Sequence, residues 1–172
     1  MRPYMEDGVS VLVYAESADG IHWEKRIPVL SADEPWEQHS VMCPHVLFDD
    51  EEHVYKLWYS AGCNHEPDAI GYAESPDGIH WTKHLKNPEL EKDPNNEWEQ
   101  HKVVACQVIK LDGWYYMFYV GHMNEERASI GLARSRNGID GWEKHPQNPL
   151  IAPEPEGWDA VSIYKPFVLR CV

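Results

Sequence analysis

The stretch Ile70-Gly71-Tyr72-Ala73-Glu74-Ser75-Pro76-Asp77-Gly78-Ile79-His80-Trp81 has two close copies in the same chain, and that repetition constrains the fold more than any other feature. One copy runs from Leu12 to Trp23, and another from Ile130 to Trp142 with one inserted residue. The glycines Gly20, Gly78 and Gly138 stand 58 and 60 residues apart. Self-similarity at a fixed period of this length marks an array of like units.

Each copy carries its own turn chemistry. In Ser75-Pro76-Asp77-Gly78 the proline presets φ, the serine hydroxyl can bond back to the turn amides, and the glycine accepts the left-handed residue that closes the turn. The spacing predicts a hairpin, with a half-buried outer strand in which Ile79 and Trp81 share one face and His80 takes the other. An Asn-Pro or Ile-Pro step is expected to end each outer strand, at Pro28, Pro88 and Pro149.

Taken in order, the chain divides into a partial unit (residues 1–30), two full units (31–92 and 93–153) and a partial unit (154–172). The first has two expected strands, Val9–Ser17 and Ile21–Arg26. Each full unit opens on a tryptophan, Trp36 or Trp98, and continues with four strands: His39–Phe48, His53–Ser60 and the hairpin pair, then Lys102–Leu111, Trp114–Val120 and the next hairpin pair. The last unit opens at Trp158 and holds one expected strand, Val161–Arg170. The opening tryptophans are 62 and 60 residues apart, which fixes the register. No helical periodicity of useful length is present. The fold class is therefore all-β: four-stranded propeller blades in a single domain, about two and a half to three blades per chain.

A chain of 172 residues is long enough for one real core and too short for two ordinary domains. Its net charge of −14, with no basic run, tells against nucleic acid and anionic membrane as partners. Neither a signal peptide in Met1–Gly8 nor a membrane-spanning stretch is legible, so a cytoplasmic location is expected. The four cysteines have no CxxC spacing and are expected to be reduced and mostly buried, with Cys43 and Cys106 the one pair to examine for a disulfide. The 8 tryptophans and 9 tyrosines, against 3 phenylalanines, suit both a β core and a sugar-facing cleft.

The pattern of Trp-acid, strand, Tyr/Trp-rich strand, Gly-Tyr-Ala-x-Ser-x-Asp-Gly-Ile-x-Trp and Asn-Pro resembles the five-bladed β-propeller glycosidases. These form the arabinanase/levansucrase/invertase-like group that includes glycoside hydrolase families 43, 32 and 130. The resemblance covers nearly the whole chain and is more specific for fold than for reaction. It implies a ligand site at one rim of a central channel lined by the first strand of each blade. This chain supplies eleven expected strands where five full blades need twenty, and both ends leave strand edges unpaired. The expectation that follows is a homodimer whose shared blade completes a ring.

Glycoside hydrolysis needs two carboxylates, one protonated and one ionised. Glu37, Glu99 and Asp159, at the repeated Trp-acid openings, are the candidate catalytic acids. Repetition in every unit equally suits a scaffold role, which is the preferred reading of the three. His39, His45, His101, Gln107, Tyr164 and Lys165 are the candidate substrate-binding residues. The carboxylates that the family-43 type places beside proline on the first strands are replaced here by His45 and Lys165. The histidines show no HxH or HExxH spacing, and neither a metal nor another cofactor is expected. Two readings stay open: a carbohydrate-active, glycosidase-like protein that hydrolyses or binds a glycoside in the channel, and a non-catalytic half-propeller with a sugar-binding or assembly role.

Overall fold

A computed structural model describes residues 9–63 and 66–170. The expectations that fall on Met1–Gly8, on Asn64 and His65 and on Cys171 lie outside the described residues. The architecture is β throughout, apart from two single-turn 3-10 helices at Pro35–Glu37 and Glu97–Glu99. Strands β1 (Leu12–Glu16) and β2 (Glu24–Leu30) form a two-stranded antiparallel sheet. Strands β3 (Ser40–Asp49), β4 (Val54–Cys63), β5 (Glu66–Ser75) and β6 (Thr82–Lys83) form the first full blade, with β7 (Leu90–Glu91) also pairing β5. The second full blade is β8 (Lys102–Leu111), β9 (Trp114–His122), β10 (Ala128–Ser135) and β11 (Glu143–Lys144).

The aromatic second strands fill the core as their alternation predicts. Trp58 and Tyr72 of the first blade pack with Tyr115, Met117 and Tyr119 of the second in one buried cluster. Polar fasteners cross the same boundary. The Trp58 indole N–H donates to the Gly138 carbonyl at 2.9 Å, and the Lys110 ammonium and Tyr115 hydroxyl both bond the buried Asp49 carboxylate.

The repeated turns form as loops. Ser75 Oγ accepts the Gly78 N–H at 2.8 Å, and Asp77 Oδ1 accepts the N–H groups of Ile79 and His80 at 2.9 and 2.8 Å. Gly20, Gly78 and Gly138 take the expected left-handed conformation, with φ of 76°, 76° and 72°. The outer strands differ from expectation. Ile79–Trp81 are not a strand, because the Asp77 carboxylate captures the amides a ladder would need, and pairing resumes only at Thr82. For the same reason Ile21–Trp23 lie outside β2. Pro28 sits inside β2 opposite Val13 rather than ending the strand, which an edge strand tolerates. The expected strand Val161–Arg170 is likewise absent. Ser162 makes one parallel bridge to Ala128, and the rest of the segment runs beside β8 without a ladder.

Candidate functional site

The first strands of the two full blades share one irregularity. The β3–β4 pairing shifts register between Met42 and His45, and the β8–β9 pairing shifts between Val104 and Gln107. Cys43, Ala105 and Lys165, spaced 62 and 60 residues apart, all lie in the left-handed region, with φ of 51°, 45° and 52°. A bulge with a non-glycine residue at positive φ re-aims the neighbouring side chains and concentrates at functional rims. Burial raises the Cys43 thiol pKa, with the Lys165 charge opposing, and pushes Cys106 up to about 12. Cys43, Cys63 and Cys106 are free thiols.

Past the bulge, His45 and Gln107 carry out equivalent structural jobs. His45 Nε2 lies 2.8 Å from the Val108 carbonyl of the next unit. Gln107 Nε2 donates to the Val168 carbonyl at 3.1 Å, and its Oε1 accepts the Val168 N–H. Both side chains are thus engaged in holding consecutive first strands together.

The acids of the Trp-acid openings are also engaged. Glu37 and Glu99 are 0% exposed. Tyr59 donates to Glu37 at 2.7 Å and Lys83 at 2.6 Å, while Tyr119 and Lys144 donate to Glu99, each at 2.9 Å. Asn87 and Asn148 complete the two copies. Each side chain donates to the tyrosine hydroxyl and exchanges two bonds with the backbone of Tyr72 or Leu132. In both full units the carboxylate is thus clasped by a tyrosine and a lysine and has no exposed surface. Asp159 is half-buried in a unit where no such tyrosine and lysine clasp it among the described residues.

Two of the remaining candidates, His101 and Tyr164, meet at one corner, around residues that spacing alone left out. Lys102, at the start of β8, forms an ion pair with Glu66 at the start of β5, joining the two full blades. This pairing holds the Glu66 carboxyl below its usual range. His122, at the end of β9, is 5% exposed and stands opposite Lys102 in the β8–β9 ladder. Burial, reinforced by the Lys102 charge, lowers its pKa to about 4, so the ring is neutral. The Tyr164 ring stands 5.6 Å from the His122 ring and is 52% exposed. His101 is bound to this corner through its N–H, which donates to the His122 carbonyl at 2.9 Å. His39, the equivalent residue in the preceding unit, is exposed and stays outside the cluster, and Lys165 is exposed one residue beyond Tyr164.

Glu66, Lys102 and His122 are not among the residues that the repeat spacing singles out. A signal was present: Lys102 aligns with Ser40 and Ser162, so this position changes chemistry from unit to unit while the scaffold positions repeat. The corner offers an ammonium, a carboxylate, a neutral imidazole and an exposed phenol. These groups suit hydroxyl-rich ligands, with the aromatic face for C–H contacts. Among the described residues no three His, Cys, Asp or Glu side chains are grouped to hold a metal ion, and no helix is long and apolar enough to cross a membrane.

Residues 4–162 match the model of glycosyl hydrolases family 43. The chain is 32% identical to an uncharacterized protein of Mycobacterium tuberculosis over 74% of its own length and 40% of that protein. It is 30% identical to a 1,2-beta-oligomannan phosphorylase of Thermoanaerobacter sp. over 70% of its length and 42% of that protein. The chain thus spans about two fifths of these relatives. Among solved structures it resembles a family 117 glycoside hydrolase of the marine bacterium Zobellia galactanivorans, with a TM-score of 0.70 at 22% identity, covering 83% of this chain and 43% of that one. It also resembles an N-acetylgalactosamine deacetylase from F. plautii, with a TM-score of 0.68 at 20% identity, covering 92% and 50%. At these identities the structural likenesses bear on fold alone: a partial β-propeller.

Proposed function

The chain belongs to glycosyl hydrolase family 43, and on that premise we propose that it is carbohydrate-active, binding a glycoside at the corner formed by Glu66, Lys102, His122 and Tyr164. The observation that carries this reading is the buried, neutral His122 beside the Glu66–Lys102 pair, under an exposed tyrosine ring. His101 flanks the same corner and would reach the outer hydroxyls.

Binding is favoured over hydrolysis. Glu66 is held ionised by Lys102 and would act as an acceptor, not as an acid. Of the sequence-derived acids, Glu37 and Glu99 are proposed as blade fasteners and only Asp159 stays reachable. A two-carboxylate mechanism lacks its pair among these residues.

The phosphorylase relative makes 1,2-β-linked mannan oligosaccharides the first probe to titrate. Calorimetry should detect binding that weakens about tenfold or more in Lys102→Ala and Tyr164→Ala. Absence of heat with these and with a panel of other oligosaccharides would remove the reading. Turnover of an aryl glycoside abolished by Asp159→Asn would restore the enzyme reading.

A reducing, cytoplasmic setting suits the three free thiols. The open edges at β1 and at the 158–170 segment call for pairing with another strand-bearing chain. A second copy is the occupant to test first, by light scattering, and a monodisperse monomer at micromolar concentration would remove it.

A further inference from the structure

Beside the corner lies a cavity of about 600 Å³, lined by Gln100, His101 and the loop 123–126. The two are joined through their residues. His101 belongs to both, and His122 of the corner is hydrogen-bonded to the Asn124 backbone of the loop. A volume of this size falls in the range of sites that take small ligands.

The backbone of this loop is held in place. Met123 N–H donates to the Arg127 carbonyl at 3.0 Å, and Asn124 Oδ1 accepts the N–H groups of Glu126 and Arg127 at 3.0 and 2.8 Å. Gln100 Nε2 donates to the Met123 carbonyl at 3.3 Å, and the Ser162 hydroxyl donates to the Glu126 carbonyl. These bonds engage the backbone and leave the carboxylates of Glu125 and Glu126 exposed, with no partner among the described residues.

Successive units differ here at one matched pair of positions. Glu126 stands 60 residues after Glu66, and Ser162 stands 60 after Lys102. At the first pair the Lys102 ammonium neutralises the carboxylate, whereas at the second a serine bonds the glutamate backbone and the carboxylate keeps its charge. Among the described residues the cavity lining carries no lysine or arginine. It therefore offers acceptors, the two carboxylates and Gln100 Oε1. A ligand must bring donors, as the vicinal hydroxyls of a sugar ring do, and an anionic ligand is repelled.

We propose that this cavity is a second sugar subsite, which extends the ligand of the corner to an uncharged oligosaccharide and rejects chains bearing carboxylate groups. The proposal rests on the reading of the corner as a glycoside site. The corner is charge-balanced by Glu66 and Lys102, so selection against anions falls to Glu125 and Glu126.

The test is calorimetry on the full chain with mannose and with 1,2-β-linked mannobiose and mannotriose. Hydrogen bonds to a charged acceptor should make the triose bind about tenfold or more tighter than the monosaccharide. That ratio should collapse toward one in Glu125→Ala/Glu126→Ala, whereas Lys102→Ala should weaken every length and keep the ratio. The triose oxidised at C6 to a uronate should bind about tenfold or more weaker than the neutral triose, and the gap should close in Glu125→Gln/Glu126→Gln. Equal affinity for all lengths, a ratio that survives the alanine variant, or a uronate bound as tightly as the neutral triose would each overturn the subsite and leave the corner standing. No heat with any of these sugars or with the wider oligosaccharide panel would remove the corner and the subsite together.

Discussion

His45 Nε2 meets the Val108 carbonyl at 2.8 Å, and 62 residues later Gln107 meets both polar groups of the Val168 backbone. One position of the repeat thus holds each first strand to the next, with histidine in one unit and an amide in the other. Because glutamine already does this job, His45→Gln should cost well under about 1 kcal/mol, whereas His45→Ala, which strands the carbonyl, should cost about 1–3 kcal/mol. Urea denaturation of the two variants decides it. Equal losses would mean the bond is incidental.

Glu99 is held by Tyr119 and Lys144 with no exposed surface. Glu99→Gln leaves Lys144 facing a neutral amide and should lower unfolding free energy by at least about 2 kcal/mol, with Glu37→Gln behaving alike. Any activity, normalised to folded protein, should survive both changes. A stable Glu99→Gln variant that loses turnover by orders of magnitude would return this acid to a catalytic role.

Gly131 faces the Trp98 ring with no room for a methyl group. Gly131→Ala should therefore cost about 1–3 kcal/mol through overpacking. Trp98→Phe, itself destabilising, should recover part of that loss in the double variant. Additive losses in a thermal double-mutant cycle would deny the contact.

The neutral ring of His122 makes stability depend on pH. Its pKa is lowered to about 4 in the folded chain from about 6.5, so the unfolded chain binds the proton more readily. The stabilisation is complete above about pH 6.5 and is lost as pH falls toward 4, on the order of 3 kcal/mol in all. Lys102 and His101 oppose protonation of this ring, while a hydrogen bond with the Asn124 backbone and the Glu66 charge favour it. His45, also lowered by burial, loses stability in the same direction. Chemical denaturation at pH 7.5 and 5 should show the drop, and His122→Gln should reduce it. An unchanged slope in that variant would place the dependence elsewhere.

The repeat alone determined the blade plan, the position of each opening tryptophan, the left-handed glycines of the turns and the buried second strands. These are local patterns written more than once, so one copy checks another. The same comparison overextended the outer strands. Alternation at Ile79–Trp81 looked strand-like, but Asp77, two to three residues away, had already taken the amides. It also paired Glu37 with Glu99 and His39 with His101 as equivalent residues of successive units. Equivalent positions recur in successive units, whereas a binding corner forms where different positions of neighbouring units meet.

Glu66 and Lys102 are 36 residues apart, and Tyr164 reaches His122 from the start of another unit. Only the tertiary structure could place them together. It alone also decided that Glu37 and Glu99 are enclosed by a tyrosine and a lysine from other strands, and that Trp158, identical in sequence role to Trp98, stands uncovered. The sequence by itself determined what each unit is, because a unit's strands and turns depend on neighbours close along the chain. What the units make jointly depends on contacts between strands tens of residues apart, and those are set by packing.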